Sequence, residues 1–432
     1  MEQNPQQGIH TFCETFAHDT QVIVVDSHFY EKMVLSLALD GFASEEGIQR
    51  ILKNNFGKYI SIGKISQILN QAASRAAEFD ASIDLSGIRQ GANDEIFQCG
   101  MPVLTGIDTD STYIYLLQQE EDRSAWSWQA AMETCKTRKL DLDVSISDFG
   151  TGLLSGIPKA FPEACIQPDL FHWMMELGKE VSSQERKTYA MLSDYYKYES
   201  ALDGQRVHEK TFQKLLSLEE HLPLALERND ILQTLYQWLR EMTCYQGYSY
   251  QDTVSLCDWL LDCMEKAVGG TSSRLSKVLA KTRRNLPDVL VYLKRAEEAL
   301  QDYALGHGYP PEAFLLLYRM SGYPPASLKY HAADKRVRRM LKKAYGSCYL
   351  EVQRILDGVK RASSLVENLN GRLRPYMNLK RMVPKKFLTL LKVYFNTKKY
   401  RRSRKAERVG KSPLELLTGQ KHKDFYDIVC GS

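Results

Sequence analysis

The stretch "ANDEIFQCGMPVLTGIDTDSTYIYLLQQ" (92–119) decides the fold. It holds three short runs rich in β-branched and aromatic residues, "ANDEIFQCG", "MPVLTGIDTD" and "STYIYLLQQ", divided by Gly, Pro and Asp, which predicts three consecutive antiparallel strands. Downstream, "SAWSWQAAMETCKTRK" (124–139) reads as a helix and "LDVSISD" (142–148) as an apolar strand ending in an acid. "GLLSGIPKAFP" (152–162) reads as a short helix, and "ACIQPDLFHW" (164–173) as a further strand and its exit. The order βββαβαβ implies an α/β protein built on a mixed sheet with helices on its faces.

Outward from this core the periodicity is helical. Before it, "EKMVLSLALDG" (31–41), "SEEGIQRILKNNFG" (44–57) and "SIGKISQILNQAASRAAEF" (61–79) form a trihelical unit, with Ser44 as a cap, Gly57 as a stop and a fresh start at Ser61. Such a unit resembles a helix-turn-helix whose last helix presents Lys64, Gln67, Asn70 and Gln71 to a DNA groove; the same pattern also suits a plain bundle used for dimerisation or packing. After it, residues 179–350 are almost wholly helical, broken at "GHGYPP" (306–311) and "SGYPP" (321–325). "LEVQRILDGVKRASSLVENLNGRLRPY" (350–376) reads as one amphipathic helix, and the tail is basic and partly helical through "SPLELLTG" (412–419).

Length and charge narrow the function classes. The 432 residues suffice for two or three domains, and no apolar run, "AFLLLY" (313–318) included, approaches the ~18 residues of a membrane span. The first Lys or Arg is Lys32, so the beginning lacks a basic leader pattern, and a cytoplasmic protein is expected. Nine cysteines with no CxxC pair and no Cys/His ladder disfavour both structural zinc and a disulfide framework. The formal charge of +4 hides an asymmetry: 25 Lys/Arg against five acids lie between Lys329 and Lys411, a local +20 that leaves −16 for the remainder. Tyrosines 330, 345, 349, 376, 394 and 400 interleave this segment, which points to a nucleic-acid partner rather than a merely solvated face.

Three acids stand where sheet chemistry is usually built. Asp94 lies in the first strand, Asp148 ends the fourth, and Glu367 sits on the late helix with Asn370 and Arg374 at i+3 and i+7 on its face. With "NDEIFQCGMPVLTGIDTDSTYIYLL", "DRSAWSW", "SISDFGTGLLSGIPKAFPEACIQPDLFHW", "SLVENLNGRLRPY" and "GKSPLELL", the chain resembles over nearly its whole length the RNase H-like transposases and retroviral-type integrases, in a bacterial insertion-sequence form. The resemblance implies an RNase H-like core interrupted by an all-helical insertion, divided as 1–85 (DNA-binding helices), 86–178 (first part of the core), 179–350 (insertion) and 351–432 (Glu helix and basic region).

It also implies a DNA transposase that cleaves element ends and transfers the freed 3′ hydroxyl strand into target DNA. Asp94, Asp148 and Glu367 would be the catalytic and metal-ligating residues, holding two Mg²⁺ ions about 3.5–4 Å apart, replaceable by Mn²⁺. Asp108 and Asp110 remain alternatives to Asp94 as the first acid, although they also read as turn residues. Similar transposases carry D-x-x-H where this chain has Asp169 and His172, supporting residues for a ligand or a phosphate; a core histidine satisfied beside Trp173 fits the same position. Trp126 and Trp128 are available for protein contacts or flipped bases. DNA contacts are expected at Lys64, Gln67, Asn70, Asn370, Arg372, Arg374, Lys380, Arg381, Lys385 and Lys386, with a homodimer or higher oligomer joining two ends. The alternatives are a domesticated or inactive DNA-binding scaffold and a structure-selective nuclease without strand transfer.

Overall fold

The computed structural model describes residues 25–201, 209–269, 274–361, 364–379 and 383–430. Lys380 and Arg381 lie outside them. Among the described residues three helices, α1 (Ser27–Leu39), α2 (Glu45–Phe56) and α3 (Ile62–Ala81), precede the sheet. Their ends follow the local signals: Ser44 Oγ accepts from the Gly47 amide, Ser61 Oγ from the Lys64 amide, and Gly57 closes α2 with φ of 63°.

The strands are β1 (Gln90–Gln98), β2 (Met101–Asp108), β3 (Ile114–Gln119), β4 (Val144–Ser147) and β5 (Cys165–Pro168), with α4 (Ala125–Lys136) and α5 (Thr151–Ala160) as crossovers. They form one five-stranded mixed sheet of order β3-β2-β1-β4-β5. β1, β2 and β3 pair antiparallel in sequence, while β1 with β4 and β4 with β5 pair parallel. Cys99 and Gly100, at φ 50° and 80°, make the two-residue turn that puts Gln98 opposite Met101. Gly91 and Gly106 are required by a close approach: a Cβ on either would stand 2.2–2.3 Å from the ring or hydroxyl of Tyr115, which lies across β1 and β2 and donates to Asn93 Oδ1 at 2.6 Å.

Strand alternation sorts the two faces. Ala92, Ile96, Val103, Val144 and Ile146 join one core with α1, α2 and α3 and with the later helices α14 and α15. Leu104, Tyr115 and Leu116 join the other core, with Trp128 and Met132 of α4 and Leu153 and Ile157 of α5.

A helical region follows, comprising α6 (Leu170–Ala201), α7 (Glu209–Met242), α8 (Tyr250–Val268), α9 (Arg274–Val289), α10 (Val291–Gly306), α11 (Pro311–Met320), α12 (Leu328–Leu341) and α13 (Tyr345–Gly358). It has two cores of its own, one around Trp173, Leu239, Leu260 and Leu293 and one around Leu300, Phe314, Val337 and Val352. Arg295 of α10 ties it to the sheet, donating to Gln167 Oε1 at 2.6 Å and Gln90 Oε1 at 3.2 Å. The chain closes with α14 (Ser364–Leu379), α15 (Lys385–Thr397), α16 (Pro413–Thr418) and α17 (Phe425–Cys430).

Two sequence expectations are corrected. The helical region begins at Leu170 rather than 179, because buried Asp169 accepts from the Phe171 amide at 2.5 Å and the His172 amide at 3.2 Å and so starts the helix there. The stretch read as one long helix (350–376) is two helices, broken after Gly358 where Val359 is extended, and carbonyls at the break are used elsewhere: Lys360 O accepts from Gln167 Nε2 at 3.0 Å and Arg361 O from the Leu170 amide at 3.3 Å. The basic tail contains α15, which is mostly buried between β3 and the N-terminal helices. Asn396 on it satisfies the edge strand, bonding both the N–H and the C=O of Ile114 at 2.8 and 2.9 Å. No described helix is long and apolar enough to cross a membrane.

Candidate active site

The parallel register pairs Asn93 with Ser147, so Asp94 of β1 lies next to Asp148, the residue just past the end of β4, and feels its charge. The Asp94 face of β1 is the one covered by α14, whose Val366, Leu369 and Leu373 are fully buried against it and whose first turn carries Glu367. Asp94 is only 7% exposed. Its Oδ1 accepts from the Glu95 amide at 2.8 Å and its Oδ2 from Asn370 Nδ2 at 2.7 Å, a bond that ties α14 to β1. Asp148 Oδ1 accepts from the Gly150 amide at 2.9 Å.

His172 completes the group from the first turn of α6. Its Nε2 lies 3.5 Å from Glu367 Oε1 and its Nδ1 3.5 Å from Asp169 Oδ2, so the ring stands between a half-exposed acid and a buried one. Its pKa is raised chiefly by the Asp169 side chain, against burial, with Asp94 and Asp148 adding to the rise. Burial raises the Asp94 carboxyl to about 6, and the charges of Asp148 and Glu367 push it the same way. An acid held this high beside two other acids is a site deficient in positive charge. The donors are hard oxygens, which suits Mg²⁺ or Mn²⁺, and the carbonyl oxygen of Asn370 is buried there without a hydrogen bond. Among the described residues, only His28, Glu31 and Cys430 bring three metal-binding atoms within 4.8 Å of one another, so the three acids stand wider apart than a single-ion cage.

The opposite side of β1 positions a cation that sequence reading missed. Glu95 faces away from Asp94; its Oε1 accepts from Trp128 Nε1 at 2.9 Å and its Oε2 is 3.2 Å from Arg123 Nη1. The only trace of this in the sequence is the acid pair "DE", which strand alternation sends to opposite faces. Trp128 is therefore buried rather than available for contacts, because its indole N–H is needed inside; Trp126 is 74% exposed. Arg123, Asp148, His172 and Phe149 line a cleft of about 580 Å³ toward the helical region, with Lys179, Arg274 and Lys281 on its far wall. Lys179, Arg274 and Lys281 fall in helices whose sequence gave no sign of facing the acids.

The remaining candidates fall into two sets. Arg374, Lys385 and Lys386 are exposed, as are Lys64, Gln67 and Asn70 on one side of α3. Asn70 and Lys386 line one cleft of about 520 Å³. Arg372 is turned inward instead, its guanidinium 4.0 Å from the Phe395 ring centroid. Asp108 closes the turn after β2, accepting from the Ser111 amide at 2.8 Å, and Asp110 lies 3.9 Å from Lys360 Nζ. No family model matches the chain, and no curated protein matches it.

Proposed function

We propose that the chain is a DNA transposase with an RNase H-like catalytic core, cutting element ends and joining the freed 3′ hydroxyl to target DNA. The observation that carries this reading is the meeting of Asp94, Asp148 and Glu367 from β1, the end of β4 and one covering helix, with Asn370 bonded to Asp94. The strand order, with β2 alone antiparallel to its neighbours on an otherwise β1-β4-β5 parallel side, supports the RNase H-like assignment.

In this reading Asp94, Asp148 and Glu367 hold the divalent cations, and bound Mg²⁺ supplies activation of the attacking hydroxyl and stabilisation of the leaving oxygen. The protein's own groups orient the parts. Asn370 fixes the Asp94 carboxylate, and the His172 ring stands between Asp169 and Glu367. In the cleft beside Asp148, Lys179 offers a phosphate contact, and Arg123, Arg274 and Lys281 would exchange their ion pairs with Glu95, Glu180 and Glu176 to do so, while Lys64, Gln67, Asn70, Arg374, Lys385 and Lys386 offer contacts on the outer surface. Neutralising ~8 phosphates gives a log–log salt slope near −7. Two ends must be joined, so the working form is a dimer or larger.

The test is incubation of the protein with Mg²⁺ or Mn²⁺ and duplexes carrying candidate terminal repeats. Joined products are expected from the wild type, and Asp148→Asn should abolish cleavage with DNA affinity retained. Cleavage without joining would mean a nuclease, binding alone a scaffold, and activity surviving in Asp148→Asn would overturn the site.

A further inference from the structure

A second cluster lies apart from the acids, where the two ends of the described chain meet. His28 and Glu31 sit one turn apart on α1, and Cys430 is the last residue of α17; a ligand atom from each lies within 4.8 Å of the other two. The cluster is held by packed helices. Asp26 caps α1 by accepting from the Phe29 amide at 2.7 Å, which fixes the turn carrying His28. Arg75 of α3 donates to the carbonyls of Val429 and Cys430 at 2.9 and 2.6 Å, which fixes the end of α17. Lys32 and Asp427, 3.9 Å apart, tie the same two helices alongside. Cys430 is 5% exposed, whereas His28 and Glu31 are half-buried, leaving one side of the cluster accessible.

We propose that His28, Glu31 and Cys430 form a transition-metal site that takes Zn²⁺. One nitrogen, one oxygen and one sulfur donor make a borderline-soft set that suits Zn²⁺, whereas Mg²⁺ and Ca²⁺ take oxygen ligands. The three protein ligands leave the fourth position of a tetrahedral ion to water from the accessible side. On binding, a metal–sulfur bond replaces the thiol S–H and the proton leaves to solvent. The ion clamps α1 to α17, so it acts on the placement of α1 to α3 and not on the carboxylate chemistry.

Co²⁺ is the probe, because a cobalt–thiolate bond absorbs in the near ultraviolet and an all-oxygen site does not. Full-length protein freed of metal by a chelator should bind one equivalent of Co²⁺ with that band, and Zn²⁺ should displace it. Cys430→Ser should lose the band. His28→Gln and Glu31→Gln, both at half-buried positions, should each weaken Co²⁺ binding by more than about tenfold, the scale known for losing even an outer partner of a metal ligand. No band in the wild type, a band kept in Cys430→Ser, or unchanged affinity in both α1 variants would overturn the proposal. The two α1 variants carry the test if Cys430→Ser does not fold.

Discussion

Metal-free protein should lose stability as pH rises through the Asp94 titration, and Asp94→Asn should remove that part of the loss. Asp94 titrates near 6 in the folded chain against 3.8 for an ordinary aspartate, a rise caused first by burial and then by Asp148 and Glu367. A raised carboxyl binds its proton more tightly folded than unfolded, so its stabilising contribution is present below the unfolded value and lost as pH rises through the folded one. The whole difference is about 3 kcal/mol at 1.36 kcal/mol per pH unit, and about 1.4 kcal/mol of it falls between pH 5 and pH 8. His172, also raised, adds a loss of the same sign, and because the Asp94 charge contributes to that rise, Asp94→Asn removes its share of the His172 loss together with its own. The assay is urea denaturation in EDTA at pH 5, 6.5 and 8, with the wild type losing about 1.4 kcal/mol more than the variant between pH 5 and pH 8. Parallel pH profiles would refute the argument that Asp94 is buried among like charges. Excess Mg²⁺ at pH 8 should stabilise the wild type and leave the variant nearly unmoved.

Three further outcomes follow from particular contacts. Glu95→Ala should cost about 1–3 kcal/mol by leaving the buried Trp128 indole N–H without its acceptor, whereas Glu95→Gln keeps an acceptor and should cost less; denaturant midpoints separate the two. Gly152→Ala should cost about 1–3 kcal/mol or more, since the added Cβ would stand 1.8 Å from the Arg123 carbonyl oxygen and force α5 away from α4; thermal melting reads it. Asp80→Ala should cost about 3–5 kcal/mol, because Lys392 at 2.8 Å and Arg138 at 2.9 Å are both nearly buried and lose their shared counter-ion, and adding salt should recover little of the loss.

The sequence by itself determined what depends on near neighbours. β-Branched and aromatic runs divided by Gly, Pro and Asp over 92–119 named the strands, and "DE" at 94 and 95 had to face opposite ways once β1 formed. Ser44, Ser61 and Ser412 cap helices through residues three places on, so those boundaries were legible from a few letters. Only the tertiary structure decided which distant segments share a surface. Asn370 reaches Asp94 across 276 positions of chain, and the ring of His172 stands between Asp169 and Glu367 because the first turns of α6 and α14 meet. The break after Gly358 and the inward turns of Trp128 and Arg372 have the same origin: each is fixed by a partner from another segment, Leu170, Glu95 and Phe395 respectively. Caps and strand alternation are set within a few residues by the backbone's own hydrogen bonds and sterics, whereas burial belongs to pairs of surfaces that meet only after the chain has folded.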